Sequence, residues 1–407
     1  EKMVAAAPQD LCAEAAPVFC FLAFLPRAGT SKEVALITIE RLEQDLQAAD
    51  AAAERLSQDG VAALLRPTGA GKGTAARKLI EKMPEVQVFW LTHTAAQQAR
   101  RQAEAARLWG SVLQRVRFFC CPELQALDAK GWVELVRPGP GLVVVDGWRD
   151  WTAVQWTQCI EKLRSFCPEA KLLGLASPDQ PVTCWAAEEL FHAPDTMTLP
   201  QAMAAGRVPA PAAVLPLLWP ADAAEQAFQR QAKNLHTPGQ PFPSEKQQIL
   251  FAHAVERVGS PAALLAETVP QGASLVLCET EAARSALSEN VSALFGPETK
   301  AVCLEEGVLP EAPAQRGRVL YLAVAGAVLP PLNGLAGAVL VRTTAAPETY
   351  RRLLAETLAV CGSVPVAELC AQPEGLESAR ILRQEQEALG GQTYPVAELS
   401  QPVARAA

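Results

Sequence analysis

The sequence predicts an α/β protein of two domains, each built on a parallel sheet. Three observations predict it. The chain has 407 residues, too many for one compact core and enough for two domains of roughly 150–200 residues each. In both halves, short runs dense in Val, Leu and Phe alternate with segments of helical spacing. A glycine-rich stretch, Leu65-Arg-Pro-Thr-Gly-Ala-Gly-Lys-Gly-Thr74, joins one such run to one such helix. Strands apolar on both faces must be covered on both faces, and that is the habit of parallel sheets.

Taken in order, Ile39–Leu56 predicts a long amphipathic helix with Leu42, Leu46 and Leu56 on its apolar side. Val61–Leu65, Val86–Leu91, Val116–Cys120, Leu142–Val145 and Lys171–Leu175 predict strands, each bounded by Gly, Pro or charge. Gly73–Met83, Ala95–Leu108, Pro122–Ala129 and Thr152–Phe166 predict the helices between them. Prolines then cluster from Pro194 to Pro243, which predicts a connector enclosing one helix. Alternation resumes with strands expected at Ser274–Cys278, Ala301–Leu304, Val319–Ala323 and Ala338–Val341, and helices at Glu279–Leu294 and Glu348–Val360. Glu374–Leu389 predicts a final polar helix. The expected organisation is an extension over 1–38, a first domain over 39–193, a connector over 194–243, a second domain over 244–362, and a helix and tail over 363–407.

Composition excludes several classes. Half the residues are hydrophobic and 20% are charged, which is incompatible with wholesale disorder. No run approaches the roughly 18–20 apolar residues of a membrane span, so no membrane partner is expected. The eleven cysteines are scattered without a C-x-x-C pair and fit a reducing compartment, read as the cytoplasm. Four histidines lie far apart without ligand spacing. The net charge of −8 excludes a bulk polyanion binder, so any contact with nucleic acid must be local and weak. Arg100, Arg101, Arg107, Arg115 and Arg117 are the candidate local cations, with solvated helix faces balanced by Glu104 as the plainer reading. The eight tryptophans read as packing residues, except that Trp148 is expected to face a nucleotide, plug the cleft or stack on a base.

The glycine-rich stretch carries the chemistry. Glycines turn backbone amides inward around phosphate oxygens, the helix start adds positive potential, and a lysine supplies a point charge. Thr68, Gly69, Ala70, Gly71, Lys72, Gly73 and Thr74 are therefore expected to bind nucleotide. A hydroxyl directly after the lysine normally holds magnesium; here Gly73 takes that place and Thr74 follows it. An acid at the end of a neighbouring strand completes such a site, and Leu142-Val-Val-Val-Asp146 supplies one. Asp146 and Thr74 are thus the expected Mg2+ ligands, with a helix-capping role as the alternative for Asp146.

These segments, in this order, resemble a superfamily 2 helicase of the restriction-enzyme-like DEAD/DEAH branch, over roughly Ile39 to Cys361. Gln44 stands where that family reads adenine, and Arg66-Pro-Thr-Gly-Ala-Gly-Lys72 resembles its phosphate loop. Phe89-Trp-Leu-Thr-His-Thr-Ala-Ala-Gln-Gln-Ala-Arg100 resembles its strand-gripping motif, which makes His93, Thr94 and Arg100 candidate nucleic-acid contacts. Leu172-Leu-Gly-Leu-Ala-Ser-Pro178, the Gln201–Pro209 segment and Val339–Tyr350 match later motifs. The resemblance implies two RecA-like domains of the P-loop NTPase fold facing each other across a cleft. It also implies ATP and Mg2+ as ligands, and DNA or RNA, with protein partners, as what the module acts on.

The departures fall on catalytic positions. The family's Asp-Glu-x-His reads Asp146-Gly147-Trp148-Arg149, so the glutamate that aligns water is Gly147. Its Glu-Gly-x-Asp-x-Pro reads Ala325-Gly-Ala-Val-Leu-Pro330, without either acid. The two arginine fingers correspond to Glu356 and Ala359. A finger is worth about 10³–10⁵ in rate and a general base about 10²–10⁴, so the expectation is a pseudo-ATPase with little or no hydrolysis. Two readings stay open beside it. One is a working ATP-dependent helicase or translocase that recruits Arg149, Arg351 or Arg352. The other is an adenylate-kinase-like phosphotransferase, since Asp146-Gly-Trp-Arg149 also resembles that family's Asp-Gly-Phe-Pro-Arg.

Overall fold

The computed structural model describes residues 31–218, 272–295, 298–304, 318–329, 332 and 334–397. The expected extension up to residue 30, the second half of the proline-rich connector with the first residues of the expected second domain (219–271), and the tail beyond residue 397 lie outside the described residues.

The first five expected strands form with ends shifted by at most two residues: β1 (Val61–Leu65), β2 (Val88–Thr92), β3 (Val116–Cys120), β4 (Leu142–Asp146) and β5 (Lys171–Ala176). A two-residue strand, β6 (Asp195–Thr196), adds one edge. All pairings are parallel and the order is β3-β2-β4-β5-β1-β6. Helix α1 (Ser31–Gln58), α2 (Lys72–Glu81) and α3 (Ala95–Leu108) cover one face. Ala48, Ala52, Leu79, Ile80 and Trp90 are among the buried side chains there. The other face buries Trp132, Trp148, Trp151, Trp156 and Phe191.

The second sheet comprises β7 (Ala213–Leu218), β8 (Ala273–Cys278), β9 (Thr299–Cys303), β10 (Arg318–Val324), β11 (Gly337–Arg342) and β12 (Pro365–Cys370), in the order β7-β12-β11-β8-β10-β9, again all parallel. It takes in two strands outside the expected 244–362. The signal for β7 is masked by Pro216 in a proline-rich context, but an edge strand tolerates a residue with no N–H to give. The signal for β12 is masked by Glu368, a fully buried carboxylate in an otherwise apolar strand. The helix Leu199–Ala204, expected in the connector, packs against the final helix Ser378–Ala388, and Leu199, Ala202 and Met203 enter the core of the second domain. Two parallel six-stranded sheets with helices on their faces make the two RecA-like domains that the resemblance implied. A single domain with a lid, as an adenylate kinase would have, does not describe this fold.

Trp148 is a correction. It is fully buried, with its ring centroid 5.1 Å from that of Phe191. Gly174 on β5 makes the room: a Cβ there would stand 2.9 Å from the Trp148 ring and from Phe191. Trp148 therefore packs the floor beneath β4 and β5 and does not reach the cleft. Trp90, Trp132, Trp151 and Trp156 are likewise buried, in line with the packing reading. The expected helix Pro122–Ala129 is two, Cys121–Gln125 and Ala129–Leu135, because Asp128 caps the second by accepting from the Gly131 N–H at 2.7 Å. Among the described residues no helix is long and apolar enough to cross a membrane.

Candidate nucleotide site

β1 ends at Leu65 and α2 begins at Lys72, so the intervening turn lies beyond the carboxyl end of a central strand. Asp146 ends β4, two strands along, with β5 between β4 and β1. This is the crevice where ligands of open α/β sheets bind. Gly71 has φ of +88°, a conformation that costs a side chain strain and lets the loop curl at the start of α2. Arg66, Pro67 and Ala70 are buried while Gly69 is exposed at the rim.

Of the sequence-expected residues, Lys72, Asp146 and Gln44 are each engaged by other groups of the chain. Lys72 turns inward, its ammonium donating to the Arg66 carbonyl at 2.6 Å and the Pro67 carbonyl at 3.3 Å. Burial pulls its pKa down to about 8, partly offset by Asp146. Asp146 accepts from Arg101 Nε at 2.6 Å and from the Trp90 indole N–H at 3.2 Å, both through Oδ2. Burial works against its charge, but Arg101, Lys72 and Arg100 hold the carboxyl below its ordinary range. Arg101 in turn reaches Glu104 at 2.8 Å and lies over the Trp90 ring, 5.7 Å from its centroid. A Cβ on Gly73 would stand 2.9 Å from Arg101 Nη1, so the guanidinium fills the space beside the missing hydroxyl.

The opposite flank is held by Arg207. It donates to Gln44 Oε1 at 2.7 Å, Asp45 Oδ1 at 2.6 Å and the Ala70 carbonyl at 3.3 Å, and also to the Arg41 carbonyl. Gln44 is thus brought to the loop through an arginine, which sequence reading did not anticipate. Arg207 lies in the Gln201–Pro209 segment and Asp45 beside Gln44, but their pairing was missed because the two side chains meet across 162 positions of the chain.

The second domain meets the loop through the helix Pro347–Cys361. A Cβ on Gly69 would stand 3.2 Å from Ala359 Cβ, so one arginine-finger position does face the loop and presents a methyl group. The other, Glu356, accepts from the Gly326 N–H at 2.8 Å and pairs with Arg352 at 3.0 Å. The arginines named as possible recruits are likewise paired: Arg149 with Glu188 at 2.7 Å and Arg351 with Glu385 at 2.8 Å. Gly147 has φ of +70°, and a Cβ there would stand 2.9 Å from Asp150 Oδ2. Restoring the glutamate by Gly147→Glu is therefore expected to strain the turn and leave ATP turnover unchanged, as phosphate release would show.

Of the candidate nucleic-acid contacts, Arg100 is exposed. Thr94 caps α3, accepting from the Gln97 N–H at 3.2 Å, and His93 Nε2 lies 3.2 Å from Gln155 Oε1. Arg115 and Arg117 serve structure: Arg115 donates to the Met83 carbonyl at 2.5 Å and Arg117 to that of Leu135 at 3.1 Å.

Fold and loop together define a two-domain α/β protein of RecA-like architecture with a glycine-rich loop between β1 and α2. No family model matches the sequence, and no curated protein matches it. The structure is similar to that of the Escherichia coli DEAH/RHA helicase HrpB over 86% of this chain and 44% of that one, at 13% identity and a TM-score of 0.46. It is also similar to the DUF1998 helicase MrfA bound to DNA (88% and 51% covered, 11% identity, TM-score 0.43) and to S. cerevisiae Dbp5 bound to RNA and ADP BeF3 (83% and 85%, 13%, 0.44). The chain spans less than half of HrpB and about half of MrfA.

Proposed function

We propose that this chain is a degenerate helicase-like module that binds nucleotide at the loop of residues 66–74 but hydrolyses little or no ATP. The observation that carries the reading is Ala359. The helix that should deliver an arginine reaches the loop and delivers a methyl group. With Gly147 in the base position, neither charge on the transferring phosphoryl group nor the attacking water is served from the usual places. Arg149, Arg351 and Arg352, the nearest replacements in sequence, are each held by a carboxylate.

A second reading, a working ATPase, has one observation in its favour. Asp150 lies beside Gly147, and its carboxyl is raised above the ordinary range by burial despite the nearby Arg352. Against it, Gln180 Nε2 donates to both Asp150 oxygens at 3.0 and 3.1 Å, orienting them away from a free water role. DNA or RNA is the proposed polymer partner, bound weakly along the segment of His93, Thr94 and Arg100, and protein partners are the proposed route of action.

Equilibrium binding tests the reading. ATP is expected to bind the full chain, and Lys72→Ala to abolish that binding. Single- or double-stranded nucleic acid is expected not to stimulate phosphate release. Nucleic-acid-stimulated turnover would establish the second reading instead. Arg100→Ala is expected to weaken nucleic-acid binding alike for all sequences and to lower the salt slope by about 1, read from affinity against log salt.

A further inference from the structure

The residues at the expected magnesium site are already committed to other contacts. Mg2+ demands near-octahedral oxygen ligands at about 2.0–2.1 Å and usually takes one from a hydroxyl and others from carboxylate, phosphate and water. Gly73 offers no hydroxyl, and Thr74 falls one residue further along α2. One of the two Asp146 oxygens, Oδ2, accepts from both Arg101 and Trp90, which leaves Oδ1 as the carboxylate oxygen a metal could use. Among the described residues no cluster of three or more His, Cys, Asp or Glu could hold an ion. The donor set does not fit a divalent cation.

A different cation is already in place. The Arg101 guanidinium lies between the terminal acid of β4 and the start of α2, packed where a Gly73 side chain would be. Three neighbours fix it: Asp146, Glu104 and the face of Trp90. Admitting a metal at Asp146 would strip the guanidinium of its strongest partner in a site where the Arg101 side chain is only 12% exposed. Arg101 and Lys72 are the cations placed at the loop, the first beside Gly73 and the second bonded to the Arg66 and Pro67 carbonyls. A guanidinium also matches phosphate oxygens in shape as well as in sign.

We infer that Arg101 takes the place of the metal ion, so that this loop binds the polyphosphate of a nucleoside triphosphate without a divalent cation. The inference rests on the nucleotide-binding reading above and deepens it. It also accounts for two features that meet at one point in space: the absence of a hydroxyl at Gly73 and the Arg101 guanidinium from α3.

The test compares ATP affinity of the full chain in EDTA and in excess Mg2+. Affinity in EDTA is expected to be equal to that in Mg2+ or tighter. Arg101→Ala is expected to lose about 10–100-fold in EDTA, the worth of one charge-assisted bond to phosphate, and to regain affinity when Mg2+ is added. Gly73→Thr combined with Arg101→Ala should rebuild a hydroxyl beside a released Asp146 and make binding Mg2+-dependent. Tighter binding of the wild-type chain in Mg2+ by about tenfold or more, roughly 1.4 kcal/mol, would overturn the inference and leave the nucleotide site standing. No binding in either buffer would overturn the nucleotide reading itself, and the inference with it. The wild-type comparison needs no variant, so a folding defect in Arg101→Ala does not protect the idea.

Discussion

Arg342→Met is expected to destabilise the second domain by about 3–5 kcal/mol, the cost of leaving one member of a buried pair without its partner. Arg342 ends β11 and is fully buried, with Glu368 of the neighbouring strand β12 at 2.6 Å. It also donates to the carbonyls of Ala346 at 3.0 Å and Gly375 at 2.6 Å, so one side chain ties the turn after β11 to the turn after β12. Burial pushes the Glu368 carboxyl up to about 7, and the attraction of Arg342 offsets only part of that. The sign follows from the raised value. The folded chain holds the proton more tightly than the unfolded one, so the stability from Glu368 is complete below the ordinary glutamate range, near pH 4.3, and is lost as pH rises through about 7. Glu368→Gln is expected to remove that loss and to cost much less than Arg342→Met. Urea unfolding of both variants at pH 5 and pH 8 checks the pair. Equal costs for the two variants at both pH values would contradict it.

Arg207→Ala is expected to have the second large effect, again about 3–5 kcal/mol, this time on the first domain. The guanidinium is buried and bonds Gln44, Asp45 and the Ala70 carbonyl, holding α1 to the phosphate loop. Removing it leaves Asp45 with the longer pair to Arg66 at 3.8 Å, and its carboxyl is already raised by burial despite both arginines. Because one contact is to the loop itself, ATP affinity should fall together with stability. Thermal unfolding and ATP titration of one sample measure both. Lost stability with undiminished ATP affinity would place Arg207 outside the site.

How far the sequence could be read follows from the range of each interaction. The first sheet is legible because each strand is a local apolar run between helical segments, and parallel burial keeps both faces apolar. The phosphate loop is legible for the same reason, since its glycines and lysine occupy one short turn. β7 and β12 were not legible: Pro216 and Glu368 break the apolar pattern, and only an edge position and a buried arginine make them tolerable. Trp148 was misread because its place depends on Gly174, a residue on another strand. Arg101 was visible only as one of five arginines. Its role lies in the pairing with Asp146, 45 positions away, and in the space left by Gly73.

Together these features describe two RecA-like domains with a glycine-rich loop at the carboxyl end of β1. Glycines hold the loop, β4 delivers Asp146, and the helix of the second domain reaches the rim. On the proposed reading, the positions expected to act on a phosphoryl group carry a glycine (Gly147), a methyl (Ala359) and a carboxylate bound to the Gly326 N–H (Glu356).

Single-turnover phosphate release tests this most directly, with the full chain in excess over radiolabelled ATP, in Mg2+ and in EDTA, beside Lys72→Ala. The account predicts that the wild-type chain binds the nucleotide while its release rate stays indistinguishable from that of Lys72→Ala. Turnover near the 1–10³ s⁻¹ typical of enzymes, about that order and abolished by Lys72→Ala, would contradict it.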